Sequence, residues 1–347
     1  MKQSQHTHSP AGGGGSTAPL LLVEGTGAIA RRHIANFRLV RPDLRVQVLR
    51  ASTRPLVSPL PDDVELVESL EAAVLARPAL AVIAGPASTH VRTALPLVEA
   101  GVPVLVEKPL SSSLAEAERL VWPVQTGHAG LMVAYVLRFH EALLALRDVL
   151  TRGDIGRPVA LRGEVGQYLP DWRPGVPWRE SVSARSALGG GALLELSHEI
   201  DYARWLVGDA VGVRGVLRRL GDVTVDVEDW VDLHWTTAGG VEVDLHMDML
   251  QRTPHRVCRV VGTEGTAEAD VISGRVVVRR PGGAEDVVAV GGVDRNAAYL
   301  SLARAALAMA AGAPPPVPLE DGLAVLRIIE CARRSSTMKG AEVALCE

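Results

Sequence analysis

Residues Leu20-Leu21-Leu22-Val23-Glu24-Gly25-Thr26-Gly27-Ala28-Ile29-Ala30 run from an apolar stretch straight into a glycine-rich turn, and Arg31–Val40 continues with apolar residues at helical spacing. A strand that passes through such a turn into a helix offers helix-end amides to an anion, the arrangement that holds a dinucleotide pyrophosphate. Gly25 allows the tight turn and Gly27 the close backbone approach, while Ala30 stands where the third glycine governs only helix-to-strand packing. Thr26, Ala28 and Ile29 complete the cofactor-binding turn. Glycine-rich turns also occur as plain connections, but this one opens the first strand-helix unit, as a dinucleotide fingerprint requires.

Outward from this turn, short apolar runs alternate with longer helical patterns from Pro19 to about Val136, the signature of a parallel sheet covered by helices. Further strands are expected at Val46–Leu49, Val64–Val67, Leu80–Ala84, Val104–Val106 and Leu131–Ala134, with helices over Ser69–Arg77, Thr89–Ala100 and Leu114–Val121. This predicts a doubly wound unit. Beyond a helix at about His140–Arg152 the pattern becomes strand-like at Val227–Trp235, Val241–Met249, Arg256–Val261, Thr266–Val271, Arg275–Val278 and Asp286–Val290. The clearest run alternates Val241, Val243, Leu245, Met247 and Met249 with Glu242, Asp244, His246 and Asp248, a period of two with one wet face. Helices near Gly191–Leu206, Ala297–Ala311 and Leu319–Ser335 complete the pattern. The fold class is therefore α/β: a doubly wound parallel sheet, then an α+β part with a large, mostly antiparallel open sheet. The expected division is a disordered tail over residues 1–18 and domains over 19–136 and 137–347, the last helices being able to pack back on the first domain.

Among 347 residues, 36 Lys+Arg face 40 Asp+Glu, so no basic stripe can neutralise a phosphate backbone and nucleic acid is not expected as a partner. No apolar run approaches the roughly 20 residues that cross a bilayer, and Met1–Ala18, with its Gly12–Gly15 run, has no secretion-signal core. Cys258, Cys331 and Cys346 form neither a disulfide framework nor metal-ligand spacing. A reducing cytoplasm is the simplest location, and no metal is required.

About 20 residues past the glycine turn, NAD binders place an acidic side chain on the adenosine ribose. Here Leu49 is followed by Arg50, Ala51, Ser52, Thr53 and Arg54. Two guanidinium groups and two hydroxyls suit a ribose 2′-phosphate, which favours NADP with NAD as the alternative. Arg50 and Arg54 can equally be solvated surface charges.

The fifth strand ends in Glu107-Lys108-Pro109, at the carboxyl edge where open α/β sheets bind ligands. Lys108 can reach the cleft there, and Glu107 can set its orientation and proton affinity. A second constellation lies in Gly189–Tyr202, where Glu195, His198 and Tyr202 fall at i, i+3 and i+7 and Asp201 is also within reach of His198. An imidazole buttressed by a carboxylate is a proton shuttle near neutral pH. A zinc helix is excluded because Tyr202 stands where the second histidine would be. A hydrogen-bonded core histidine is the competing reading.

Together with Gly85–His90, Tyr135–His140, Gly153–Pro158 and Gly189–Asp201, these motifs make the chain resemble the glucose-fructose oxidoreductase / inositol dehydrogenase / rhizopine catabolism (Gfo/Idh/MocA) family over nearly all of its length after the tail. The resemblance implies a Rossmann domain that binds NAD(P) and a C-terminal domain whose open sheet forms the contact of a homodimer or homotetramer, with a sugar-like substrate between the two. It implies that Lys108 contacts the substrate hydroxyl and the nicotinamide region, that His198 is the acid/base, and that Pro86 and His90 lie along the cofactor. Arg138, in the matched Tyr135–His140 stretch, joins the substrate-binding candidates together with Tyr202. Two positions depart from the family: Leu194 stands where an aspartate is common, leaving Glu195 or Asp201 to partner His198, and Val136 replaces a common asparagine.

The stretch Gly166–Glu180 is too rich in Gly and Pro for a helix and carries Tyr168, Trp172, Arg173, Trp178 and Arg179. Its Trp faces can stack on sugar rings and its Arg side chains can clamp an anion, or the Trp residues simply anchor the loop. The expected protein is an NADP-dependent oxidoreductase acting on a secondary alcohol or ketone carbon of a sugar, sugar derivative or polyol. The rivals are a glycoside-cleaving enzyme with retained NAD and a non-catalytic cofactor sensor.

Overall fold

A computed structural model describes residues 18–50, 59–127, 129–173, 175, 177–289, 294 and 296–345. The expected tail over residues 1–18 falls almost wholly outside them, as do Ser52, Thr53, Arg54 and Cys346.

The first part alternates β1 Leu20–Glu24, α1 Ala28–Val40, β2 Arg45–Leu49, β3 Val64–Val67, α2 Leu70–Leu75, β4 Leu80–Ile83, α3 His90–Glu99, β5 Val104–Val106, α4 Leu114–Glu118, α5 Val121–Thr126 and β6 Leu131–Val133. Its strands form one sheet in the order β3-β2-β1-β4-β5-β6, and every pair in it is parallel. The order reverses between β1 and β4, the switch point where such sheets open a ligand crevice at their carboxyl ends. Central strands buried on both faces read as unbroken apolar runs, as Leu80–Ile83 and Val104–Val106 do.

The second part contains α6 Glu141–Arg152, β7 Pro158–Gly166, α7 Ala192–Glu195, α8 His198–Val207, β8 Ala210–Arg218, β9 Trp230–Thr237, β10 Glu242–Asp248, β11 His255–Gly262, β12 Thr266–Asp270, β13 Arg275–Arg279, β14 Glu285–Ala289, α9 Ala297–Ala310, α10 Leu319–Thr337 and β15 Val343–Ala344. Its nine strands run in the order β14-β13-β12-β11-β7-β10-β9-β8-β15, antiparallel except for β7 beside β10. Helices α6, α8 and α10 cover one face, and α9 packs back on α1 of the first part. The other face of the sheet carries Arg162, Glu164, His234, Asp244 and His246, and no helix of the described residues packs on it.

Three strands escape the sequence reading: β7, β8 and the two-residue β15. β7 contains Pro158, Gly163 and Gly166, residues disfavoured in strands, yet it lies at the centre of the sheet. Its Gly163 is small because a Cβ there would stand 2.9 Å from the Tyr202 hydroxyl and 2.7 Å from Leu245. β8 holds Gly215 for the same reason: α10 presses Ala332 against it. The expected helix over Gly191–Leu206 is two helices, broken at Leu196 and Ser197.

Candidate active site

At the carboxyl end of β1, Gly25 takes φ +104 and donates its N–H to Leu49 O at 3.0 Å. A Cβ at Gly25 would stand 2.9 Å from Ala84 O, so both the turn and the neighbouring strand demand glycine. Gly27 caps the start of α1, and a Cβ there would project into open space. No acidic residue occupies the first turn of α1, so its amino end keeps its positive potential, and this cradle fits a nucleotide pyrophosphate. Arg31 braces the turn by donating from Nε to Thr26 O at 3.1 Å and from Nη1 to Pro59 O at 2.8 Å. Arg50 is half-buried at the end of β2.

Across the switch point, Pro86 begins a single helical turn that leads into α3. His90 is buried with Nε2 3.0 Å from Gly85 O and Nδ1 3.0 Å from Pro109 O, so it ties this loop to the end of β5. Burial, resisted by the two carbonyls and by Glu107, lowers its proton affinity.

Lys108 reaches from β5 to the end of α7, where Nζ donates to Glu195 O at 2.8 Å and lies 3.7 Å from Glu195 Oε2. His198 begins α8 three residues further on, half-buried, its ring set edge-on to Tyr135 at 5.7 Å. Its Nδ1 is buried without a hydrogen-bond partner among the described residues. Burial first, then the positive charges of Lys108 and Arg256, push its pKa well below the ordinary 6.5. This imidazole is therefore neutral at neutral pH, the form that can accept a proton.

The expected carboxylate buttress on His198 is absent from this arrangement. Glu195 turns to Lys108, and Asp201 is held by Arg138, whose Nη2 donates to Oδ1 at 2.7 Å and whose Nε donates to Oδ2 at 3.0 Å. The same guanidinium donates to Asp321 at 2.9 Å, so Arg138 is consumed in a buried clamp between the short helical turn Val136–Phe139, α8 and α10 rather than offered to a substrate. Tyr202 is fully buried, its hydroxyl over Gly163 in the core, and it too is out of a substrate's reach. The reason is rotational: α8 turns His198 toward Lys108, while positions three and four further on face the neighbouring strands and helices.

Sequence reasoning missed Glu199 and Arg256. Glu199 is fully buried and accepts from Arg256 Nε at 2.7 Å and Nη2 at 2.8 Å, placing a cation from β11 beneath the start of α8. Nothing in local spacing links residues 57 apart.

In the Gly166–Glu180 loop, Trp172 donates from its indole N–H to Gln167 O at 3.0 Å, and Arg252 stacks over Tyr168 at 3.5 Å. Arg179 stacks on Trp178 at 4.1 Å, and Trp172, Arg173 and Trp178 line one small cavity with Ser183. Much of the loop's aromatic surface is thus spent on internal stacking. Among the described residues no group of His, Cys, Asp or Glu is placed to hold a metal ion, and no helix is long and apolar enough to cross a membrane.

Residues 21–135 match a family model described as an oxidoreductase family with an NAD-binding Rossmann fold, and residues 143–268 match the Gfo/Idh/MocA C-terminal domain. The chain belongs to the Gfo/Idh/MocA oxidoreductase family. It is 31% identical over 213 residues to inositol 2-dehydrogenase 1 of Saccharopolyspora erythraea, 59% of this chain and 58% of that protein. To inositol 2-dehydrogenase of Rubrobacter xylanophilus it is 29% identical over 203 residues, 57% of this chain and 55% of that protein. The match thus spans little more than half the length of these relatives. A solved levoglucosan dehydrogenase in complex with NADH and L-sorbose superposes with a TM-score of 0.84 at 19% identity, covering 94% of this chain and 99% of that one, a likeness of fold.

Proposed function

We propose that this chain is an NAD(P)-dependent dehydrogenase or reductase that transfers a hydride between nicotinamide and a secondary alcohol or ketone carbon of a sugar, sugar derivative or polyol. The observation that carries this reading is the meeting of Lys108, at the carboxyl edge of the parallel sheet, with the α7–α8 break that presents His198. The named relatives, inositol 2-dehydrogenases, point to the polyol class.

Gly25, Gly27 and the amino end of α1 would hold the pyrophosphate, and the segment from Arg50 the adenosine ribose. A bound nicotinamide supplies the hydride acceptor or donor. Lys108 Nζ, steadied by Glu195, points a positive N–H at the reacting oxygen and stabilises its developing negative charge. His198, kept neutral by burial and then by two cations, takes the hydroxyl proton as the carbonyl forms, and returns it in the reductive direction. Asp201 and Glu199 on the same helix are each bound to an arginine.

We infer NADP as the preferred cofactor from Arg50 and the absence of a carboxylate in residues 50–54. A homo-oligomer through the uncovered sheet face and a reducing, cytoplasmic setting complete the proposal; Cys258 and Cys331 are both buried. The test is side-by-side titration with NADPH and NADH, then a polyol and sugar screen followed at the nicotinamide absorbance. Replacing Lys108 with Ala should abolish turnover and leave cofactor affinity within a few-fold; near-full activity would remove Lys108 from the mechanism. Tighter binding of NADH than NADPH would refute the NADP assignment.

A further inference from the structure

Glu107 stands between β5 and Lys108, and its carboxylate is bridged. Oε1 lies 2.7 Å from Nε2 of His33, and Oε2 accepts the backbone N–H of Lys108 at 3.1 Å. His33 is 1% exposed and Glu107 8%, so no water substitutes for either contact. His33 belongs to α1, the helix whose amino end forms the pyrophosphate cradle. Its ring is set edge-on to Tyr299 of α9 at 6.2 Å and tilted against Phe37 at 6.3 Å, which fixes its rotamer.

We propose that His33 is a positioning residue: through Glu107 it fixes the backbone at Lys108 relative to the cofactor-binding helix. This rests on the reading of Lys108 as catalytic. Burial would drive the Glu107 carboxyl toward its neutral form, but the His33 bond, with the nearby positive charges, outweighs burial and holds it below the ordinary range. As a carboxylate it accepts on both oxygens, and two donors on opposite oxygens fix its plane. His90 pins the next residue by its contact with Pro109 O. The Lys108 backbone is thereby held on both sides while its long side chain reaches out to Glu195. Without the His33 nitrogen, Oε1 is a buried acceptor with no donor; the carboxyl must rotate or take up a proton, and the Lys108 N–H loses its fixed acceptor. A small rotation there is magnified along the side chain, and a displacement of about 1 Å at a reacting group costs about 10²-fold in rate.

Two variants of the full chain separate bond from bulk. His33→Phe keeps a ring of similar size without a donor, whereas His33→Gln places its Nε2 the same number of bonds from the backbone as the imidazole Nε2. Hydrogen exchange at the Lys108 amide, read by mass spectrometry on the NADPH-bound protein, requires no substrate. The second readout is kcat with the polyol that wild type oxidises fastest among myo-inositol, sorbitol and levoglucosan. Expected for His33→Phe are amide exchange faster by about tenfold or more and kcat lower by about 10²-fold, with the NADPH dissociation constant within threefold. His33→Gln should stay within threefold of wild type in both. The proposal is overturned if His33→Phe exchanges as wild type does, if faster exchange leaves kcat unchanged, or if His33→Gln is as impaired as His33→Phe. If wild type oxidises none of the three, the functional reading fails for these polyols, and exchange in the two variants still decides the role of His33.

Discussion

Asp201→Asn separates a structural carboxylate from a catalytic one. Asp201 is fully buried and accepts three bonds from Arg138, at 2.7, 3.0 and 3.2 Å. Burial pushes its carboxyl up to about 6 although Arg138 pulls the other way. A pKa above the free value means that desolvating this charge costs more than the pair returns, so the wild-type pair is not itself a large source of stability. Removing one partner is different, because it strands the Arg138 charge with Asp321 alone. Breaking a buried pair costs about 3–5 kcal/mol, and the retained Asp321 contact at 2.9 Å puts this case near about 3 kcal/mol. At about 2 °C per kcal/mol for a chain of this size, the melting temperature should fall by about 6 °C. Asp321→Asn is the control: it leaves all three Asp201 bonds intact, removes a partly exposed partner of Arg138 and Arg204, and should cost less than Asp201→Asn. Calorimetry would give the melting shifts, and steady-state kinetics well below the transition would give kcat for the folded protein. The reasoning is refuted if Asp201→Asn melts within 1 °C of wild type, or if kcat of the folded variant drops while Asp321→Asn leaves it untouched. Either result would return Asp201 to the proton chemistry of His198.

Other predictions rest on different parts of the molecule. The acid limb of kcat/KM in the oxidative direction should lie below pH 6.5, because His198 must be neutral to accept a proton and its pKa is depressed by burial, Lys108 and Arg256; a limb at or above 6.5 would contradict that environment. Gly25→Ala should weaken cofactor binding at least tenfold in fluorescence titration, since φ +104 and a Cβ 2.9 Å from Ala84 O oblige the turn to shift; unchanged affinity would remove the turn from the site. Glu24, buried at the end of β1 with Oε2 on the Gly85 N–H at 2.7 Å, has its pKa raised chiefly by burial. Its contribution to stability is therefore fully present below about pH 4.5 and declines as pH rises through the raised value. Urea melts of Glu24→Gln should accordingly show a stabilised variant at pH 8 and little difference at pH 4, and the opposite trend would reverse the sign of the argument. Tyr202→Phe should leave KM and kcat within twofold of wild type, because that hydroxyl faces Gly163 in the core; a large rise in KM would restore it to the substrate site.

Much of this molecule is local, and its sequence says so. The β1 turn is specified by Gly25, whose φ of +104 and close neighbour Ala84 O admit no side chain, the period of two over residues 241–249 needs only alternation, and a lysine two residues past an apolar strand emerges at the sheet's carboxyl edge. What required the folded chain were the partners of the charged groups. Glu107 meets His33 across 74 residues, Asp201 meets Arg138 across 63, and Glu199 meets Arg256 across 57. Helical spacing brings Glu195, His198 and Asp201 within reach of one another, but which of them turn to a neighbouring element depends on the packing of that element. A buried carboxylate binds the cation that packing delivers, and pairing at such separations leaves no periodic trace in the chain. The strands β7 and β8 were hidden for a related reason: their glycines exist to admit Tyr202 and Ala332 from helices packed above them, a demand that only the assembled layers impose.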